Sequence, residues 1–419
     1  MKEVRINPLT RVEGLGRLYL TLRNGKPERV RLEIFEAPRF FEAILKGKTM
    51  DQVIDTVARV CGLCPVAYQM SAVVAFERIL GLEIPQPIKD LRRVLYCGEW
   101  ISSHSAHMFF MHLPDFLGRE SFLEVSRERR DVLETALRIR RAGNRILEVI
   151  GGRHIHPVNV KVGGFYRLPS PRMMENLLKE IEETLPVAEA FLREVLSFPF
   201  PDFERDYEFV SLGGADSYPL MEGRIVSSAG WSVSQEEFEV RFEEFQEPHS
   251  TALYSRLRGG GFYLTGALAR INNNFELLPE DLQEVLKAHM PLKNPFKSLI
   301  VRAVEVVFAL RESLRLLRRY EAGEASVGYS PRAGEGVGVT EAPRGILYHR
   351  YRVNGKGIVE FVNIVPPTAQ NQGIMEEDVL EGLKRFGDDD VQGIAEKLVR
   401  NHDPCISCAS HFLEVIRVP

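Results

Sequence analysis

The chain holds only five cysteines and two tryptophans in 419 residues, and no stretch of about 18 apolar residues. So few cysteines exclude a disulfide scaffold, and a reducing cytoplasm is the expected setting. The missing apolar run excludes a membrane-spanning helix. The opening residues, MKEVRINPLTRVEGLGRLYL, contain no apolar core of a secretory signal, so none is expected. An excess of positive charge is also lacking: 54 basic and 58 acidic residues give a net charge of −4. Without a basic stripe, no nucleic-acid partner is expected. Internal repeats, low-complexity linkers and an evident domain boundary are absent as well.

What is present is an ordinary globular composition, 44% hydrophobic, enough to bury a large core. The first ~35 residues alternate as strands around Asn24-Gly25, a strong hairpin signal. From about residue 39 the apolar spacing turns helical, and it stays helical through much of the chain. KDLRRVLYCGEWISSHSAHMFFMHLPDFLG reads as one long helix, and NPFKSLIVRAVEVVFALRESLRLLRRYE as another. Residues ~200–265 look mixed, and residues ~325–375 irregular or extended. The segments MEEDVLEGLKRF and DDDVQGIAEKLVRNHDPCISCASHFLEVI read as a closing helix pair. The expected fold is mainly α with a helical-bundle core and a small β element, a hairpin over about residues 1–36. Residues 1–419 are expected to form a single domain, because the cysteines tie one end to the other.

Four of the five cysteines form two Cys-x-x-Cys pairs, Cys61/Cys64 in RVCGLCPVAY and Cys405/Cys408 in DPCISCASH. Most of the chain lies between them, so only folding can bring them together. Two such pairs make a soft four-sulfur site for zinc, an iron–sulfur cluster or a thiophilic redox metal such as nickel. A structural zinc knot explains the cysteines but not their polar flanks, Arg59, Asp403-Pro404 and His411. Such flanks are typical of groups that tune a reactive metal. His104, His107 and His112 share one side of a helix and are expected to serve the core rather than a metal. Cys97 reads as buried filler.

RVCGLC followed by DPCISCASH resembles the signature pair of the large subunit of nickel–iron hydrogenases. TRVEGLGRL, RFFEAILKGK, GGRHIHPVNVKVGG, GYSPRAGEG and VTEAPRGILYH are similar to further elements of that family, in the family's order. The resemblance implies that Cys61 and Cys405 are terminal thiolates on nickel and that Cys64 and Cys408 bridge nickel to iron. It implies cyanide and carbon monoxide as the other iron ligands. Glu13 matches the family's proton-relay carboxylate beside Cys405, a role that burial could tune. Arg332, preceded by Pro331, matches the arginine over the site that donates toward a cyanide, with Asp403 as its partner. Glu42, His411 and a carbonyl near Asn363 match the ligands of a magnesium or similar divalent cation.

The sequence departs from the family pattern at three positions. Tyr68 replaces a histidine, Ser103 an aspartate near the arginine, and Pro367 a hydroxyl residue that contacts a cyanide. These variants resemble the cytosolic, cofactor-linked branch. With the metal site filled, too few cysteines remain for a chain of iron–sulfur clusters. The resemblance therefore implies an iron–sulfur small subunit, and further diaphorase-type subunits carrying flavin and iron–sulfur clusters are expected from the same branch. The expected activity is reversible cleavage of dihydrogen, with NAD(P) as carrier. A deazaflavin-linked enzyme and a dihydrogen-sensing regulatory subunit stand as alternatives. A non-catalytic scaffold, resembling a large subunit of respiratory complex I in which the metal-binding cysteines are lost, is disfavoured by retention of all four cysteines. The tail FLEVIRVP after His411 is either retained or the remnant of a processed extension.

Overall fold

The computed structural model describes residues 2–387 and 390–410. His411 and the tail after it lie outside these residues. The fold is mainly helical with several small sheets, as expected.

β1 (Lys2–Ile6), β2 (Gly16–Arg23) and β3 (Lys26–Ile34) form an antiparallel sheet in that order. Asn24 and Gly25 both take positive φ, as the tight hairpin turn requires. Leu18, Leu20 and Leu32 point to one face and pack against Met375, Val379 and Leu398 near the other end of the chain. Alternation along the strands thus sets one face of the N-terminal sheet on the C-terminal helices.

The bundle is built around α1 (Pro65–Leu80), buried on nearly every side and stopped by Gly81 in the left-handed conformation. α2 (Gln86–Ser105), α3 (Arg130–Gly151), α4 (Pro171–Leu196) and α5 (Ser298–Leu317) pack with it in one apolar core. α2 and α3 cross at glycines: a Cβ on Gly143 would lie 2.6 Å from the Ser102 nitrogen. The expected single helix through Gly118 is interrupted. α2 widens into a π-helical segment, Ala106–His112, before a short helix at Leu113–Phe116. Pro114 supplies no N–H to an α-ladder, and the wider turn absorbs the mismatch.

Residues 334–365, expected to be irregular or extended, are a regular sheet. β4 (Gly334–Ala342), β5 (Gly345–Val353) and β6 (Val359–Val365) pair antiparallel in that order. The glycines of GEGVGV serve close approach. A Cβ on Gly338 would sit 2.1 Å from the Ser71 carbonyl oxygen, and one on Gly336 2.5 Å from that of Ala75. β4 therefore lies directly along α1.

α6 (Pro367–Phe386) begins earlier than its sequence pattern indicates, and α7 (Val391–Asn401) stops before the cysteines. Asp403 takes φ 53° and Pro404 follows, so the helix cannot continue into them. A single short turn, Ile406–Ala409, carries Cys408.

Candidate metal centre

The two cysteine pairs reach the same point from opposite ends of the chain. Cys64 is the residue at which α1 begins, and Cys61 lies in the turn before it, its sulfur accepting from Leu63 N–H at 3.3 Å. Cys405 forms a parallel backbone bridge with Glu13, and Ile406 N–H donates to the Glu13 carbonyl at 3.0 Å. The Thr368 hydroxyl oxygen, in the first turn of α6, accepts from Cys405 N–H at 2.9 Å.

A ring of ion pairs clamps this junction. Arg400 is buried and donates to both carboxylate oxygens of Asp115 at 2.8 Å, to Glu396 at 3.1 Å and to the Thr10 carbonyl at 3.2 Å. Arg11 meets Asp115 from the other side, and Thr10 donates to Glu396 at 2.7 Å. His402, just before Asp403, pairs with Asp378 of α6 at 2.7 Å. Of the three helix histidines, His107 and His112 hold the same segment, at the Arg400 carbonyl (2.7 Å) and the Asn401 amide oxygen (2.8 Å). His104 meets Glu305 at 2.8 Å. All three are buried, and burial holds their pKa values low, at about 4 for His104 and about 3 for His112.

The result is four buried sulfurs within 4.8 Å of one another. Cys61 and Cys405 are 3.3 Å apart, Cys64 and Cys408 3.8 Å. Among the described residues no other three His, Cys, Asp or Glu side chains converge in this way. Four thiolates so close repel one another. Hydrogen bonds from Cys405 and its neighbours hold the Cys61 thiol well below its usual range, while burial pushes Cys405 and Cys408 up. Metal cations relieve that conflict, and the all-sulfur donor set suits nickel, iron or zinc. Cys97 stands apart, its thiol pushed up to about 12 by burial.

The arginine facing the sulfurs is Arg344, not Arg332. Arg344 is buried and donates to the Asp403 carbonyl (2.7 Å), the Asp403 carboxylate (2.9 Å) and the Ser103 hydroxyl (3.2 Å). Burial works against its charge, and Asp403 with the sulfurs of Cys405, Cys64 and Cys61 outweighs it. Arg332 and Pro331 are exposed, and the Arg332 guanidinium donates to the Ile79 carbonyl at the far end of α1. α1 has 16 residues, so that end lies about 24 Å from the one Cys64 starts. β4 then runs back along α1 and delivers Arg344 to the sulfurs. Arg270, itself paired with Glu305 and Glu341, braces the strand end by donating to the carbonyls of Ala342 (2.8 Å) and Pro343 (3.2 Å). The pattern Pro-Arg occurs in both SPRA and APRG, and only the path of β4 separates them.

The remaining expected residues fall at varied distances from the sulfurs. The Glu13 carboxylate accepts from Ser407 N–H at 3.1 Å, one residue before Cys408, and is half-buried. Ser103 and Asp403 both contact Arg344; the second Asp403 oxygen is buried with no hydrogen-bond partner among the described residues. Tyr68 is buried one turn into α1, its hydroxyl likewise without a partner among those residues. Pro367 starts α6, and the hydroxyl used there is its neighbour Thr368.

Glu42 lies apart from the sulfurs, buried, its carboxylate accepting from Ile364 N–H at 2.9 Å. The Asn363 side chain donates to Glu239 at 2.7 Å. Burial raises the Glu244 carboxyl well above its usual range, with Glu42 and Glu239 adding to the effect. These acids are hard oxygen donors of the kind magnesium takes. Among the described residues no helix is long and apolar enough to cross a membrane.

Comparison with known proteins follows this geometry. The profile of the family described as nickel-dependent hydrogenase matches residues 39–135 and 270–411. The alpha subunit of sulfhydrogenase 1 from Pyrococcus furiosus is 32% identical, over 98% of each chain. The alpha subunit of sulfhydrogenase 2 from the same organism is 31% identical, over 98% of this chain and all of that one. A crystal structure of an NAD+-reducing [NiFe]-hydrogenase in the H2-reduced state superposes with a TM-score of 0.90 at 26% identity, covering 98% of this chain and 100% of its own.

Proposed function

The chain belongs to the nickel-dependent hydrogenases, as a large subunit of the nickel–iron type, and from that premise we propose how it works and what it serves. The observation that carries the reading is the meeting of four buried sulfurs from both ends of the chain beneath a buried arginine. Cys61 and Cys405 would hold nickel at its terminal positions, and Cys64 and Cys408 would bridge to an iron carrying cyanide and carbon monoxide. When bound, this centre supplies heterolytic cleavage of dihydrogen.

The protein's own groups do the rest. Arg344 places guanidinium N–H donors, fixed by Asp403 and Ser103, where an anionic diatomic ligand would sit; a planar, always-charged fork suits that task. Glu13 serves as the base. Its carboxylate is held against the backbone between Cys405 and Cys408, takes the proton from the Cys405 sulfur, and reaches solvent through its half-exposed side. The apolar core around the sulfurs keeps bulk water from the reacting groups. Glu42, with a carbonyl near Asn363 and His411, would hold a magnesium or similar cation; His411 lies outside the described residues.

Electrons must leave through another subunit, because the remaining cysteine, Cys97, is single and buried. We read the partner as an iron–sulfur small subunit, with diaphorase-type flavin and cluster subunits beyond it, and the assembly as cytoplasmic. The likeness to the NAD+-reducing enzyme over nearly the whole chain supports NAD(P) as the carrier. Infrared spectra and metal analysis of the purified complex test the reading. Carbon monoxide and cyanide bands with nickel and iron in equal amount are expected, together with dihydrogen-dependent reduction of NAD(P). Zinc alone in an active preparation would overturn it.

A further inference from the structure

α1 begins in an unusual way, because its first residue is committed elsewhere. The residue that starts a helix ordinarily offers a side-chain oxygen to the free N–H groups of the first turn. Here that residue is Cys64, whose side chain makes no capping bond and whose sulfur belongs to the four-sulfur cluster. The next residue, Pro65, has no N–H to satisfy. Two donors remain, Val66 N–H and Ala67 N–H, both buried. Each points to one carboxyl oxygen of Glu99, Val66 to Oε2 and Ala67 to Oε1 (3.1 Å).

Glu99 comes from the neighbouring helix α2 and is fully buried. Ser103, which receives Arg344, lies four residues further along the same helix and so on the same face. A single face of α2 thus addresses both the start of the Cys64 helix and the arginine above the sulfurs. A carboxyl group retains acceptor capacity on both oxygens whether ionised or protonated; the amide nitrogen of glutamine accepts nothing. Two adjacent inward N–H groups therefore select for glutamate rather than its closest isostere.

We propose that Glu99 is a positioning residue for the Cys61–Cys64 half of the metal site, fixing the start of α1 from α2 and so the placement of two of the four sulfurs. This rests on the reading of the sulfurs as metal ligands. The test compares E99Q with wild type in the metal-loaded complex. E99Q sets an amide NH2 against a backbone N–H, so the turn bearing Cys64 must shift. Nickel and iron content near wild type, displaced or split infrared bands of the iron ligands, and a kcat lower by roughly 10–100-fold are expected. E99D, which keeps the carboxyl group, should recover part of the loss.

I146V, which loosens α3 against α2 where Ile146 packs on Gly98, without touching the bonds of Glu99 to α1, should lower the unfolding temperature and leave the bands in place. Superimposable bands in E99Q and wild type, or changes that I146V reproduces, overturn the proposal. Hydrogen exchange of wild-type residues 64–68 gives a reading that needs no variant. Amides protected like a helix interior are expected, and exchange as fast as an open turn overturns it. Wild-type complex free of nickel would instead defeat the ligand reading itself, whatever E99Q does.

Discussion

The two cysteine pairs have the same spacing and opposite surroundings. Cys61 and Cys64 open a helix that is buried all round, and the carboxyl group nearest their backbone, Glu99, is sealed from water. Cys405 and Cys408 sit on a short turn joined by a backbone bridge to the N-terminal segment, and the carboxylate beside them, Glu13, is half-exposed. One half is built to stay still. The other carries a carboxylate that accepts from the backbone next to Cys408 and is partly open to solvent.

The sharpest way to break this contrast is to remove one sulfur from the working half. C405S replaces a soft donor with a hard one and should cost the protein its nickel and all measurable activity. Evolution of dihydrogen from reduced viologen at the wild-type rate would contradict the assignment. The next effect should come from Glu13. E13Q keeps the shape and the Ser407 hydrogen bond but accepts no proton. Turnover should fall by roughly 10²–10⁴-fold while nickel and iron content hold, read by metal analysis alongside dihydrogen uptake.

A third comparison sets the two arginines against each other. R344K should lower kcat by roughly 10²–10³-fold, the usual cost of losing a fixed donor at developing charge, whereas R332K should stay within about twofold. The opposite ranking in parallel assays would return the role to Arg332. The smallest expected effect is on stability. His104 and His112 are neutral in the fold, with pKa values of about 4 and about 3, against an ordinary 6.5. Below pH 6.5 the unfolded chain takes up protons that the folded one refuses. Stability conferred by the neutral rings is complete above that pH and falls as pH drops toward 4, by up to about 1.4 kcal/mol per pH unit for each ring. Calorimetry between pH 7 and 5 should show the unfolding temperature dropping, with a shallower drop in H112N.

The sequence was legible where chemistry is written locally. The cysteine pairs, the Asn24-Gly25 hairpin and the core histidines could all be read from spacing and residue type, and Asp403 came from the family resemblance. Arg344 could not. It shares its Pro-Arg context with Arg332, and the choice between them depends on a strand that retraces a helix, a relation with no local signature. β4 was read only as irregular or extended, because the reason for its glycines is a helix backbone distant in sequence. Thr368 and Glu99 went unnoticed for a related reason: each acts on backbone N–H groups, which leave no mark in a side-chain pattern. The π-helical segment at Ala106–His112 is a compromise between a proline and the packing around it, and such compromises are settled only in three dimensions.

The bridge between Glu13 and Cys405 also sets a timetable. Cys61 and Cys64 leave the ribosome first, and the residues that complete their cage follow only after some 340 more have been added (405 − 64 = 341). Throughout that interval the cell holds a half-site, and the four-sulfur cage can close only once the Cys405–Cys408 turn has been made and docked against Glu13.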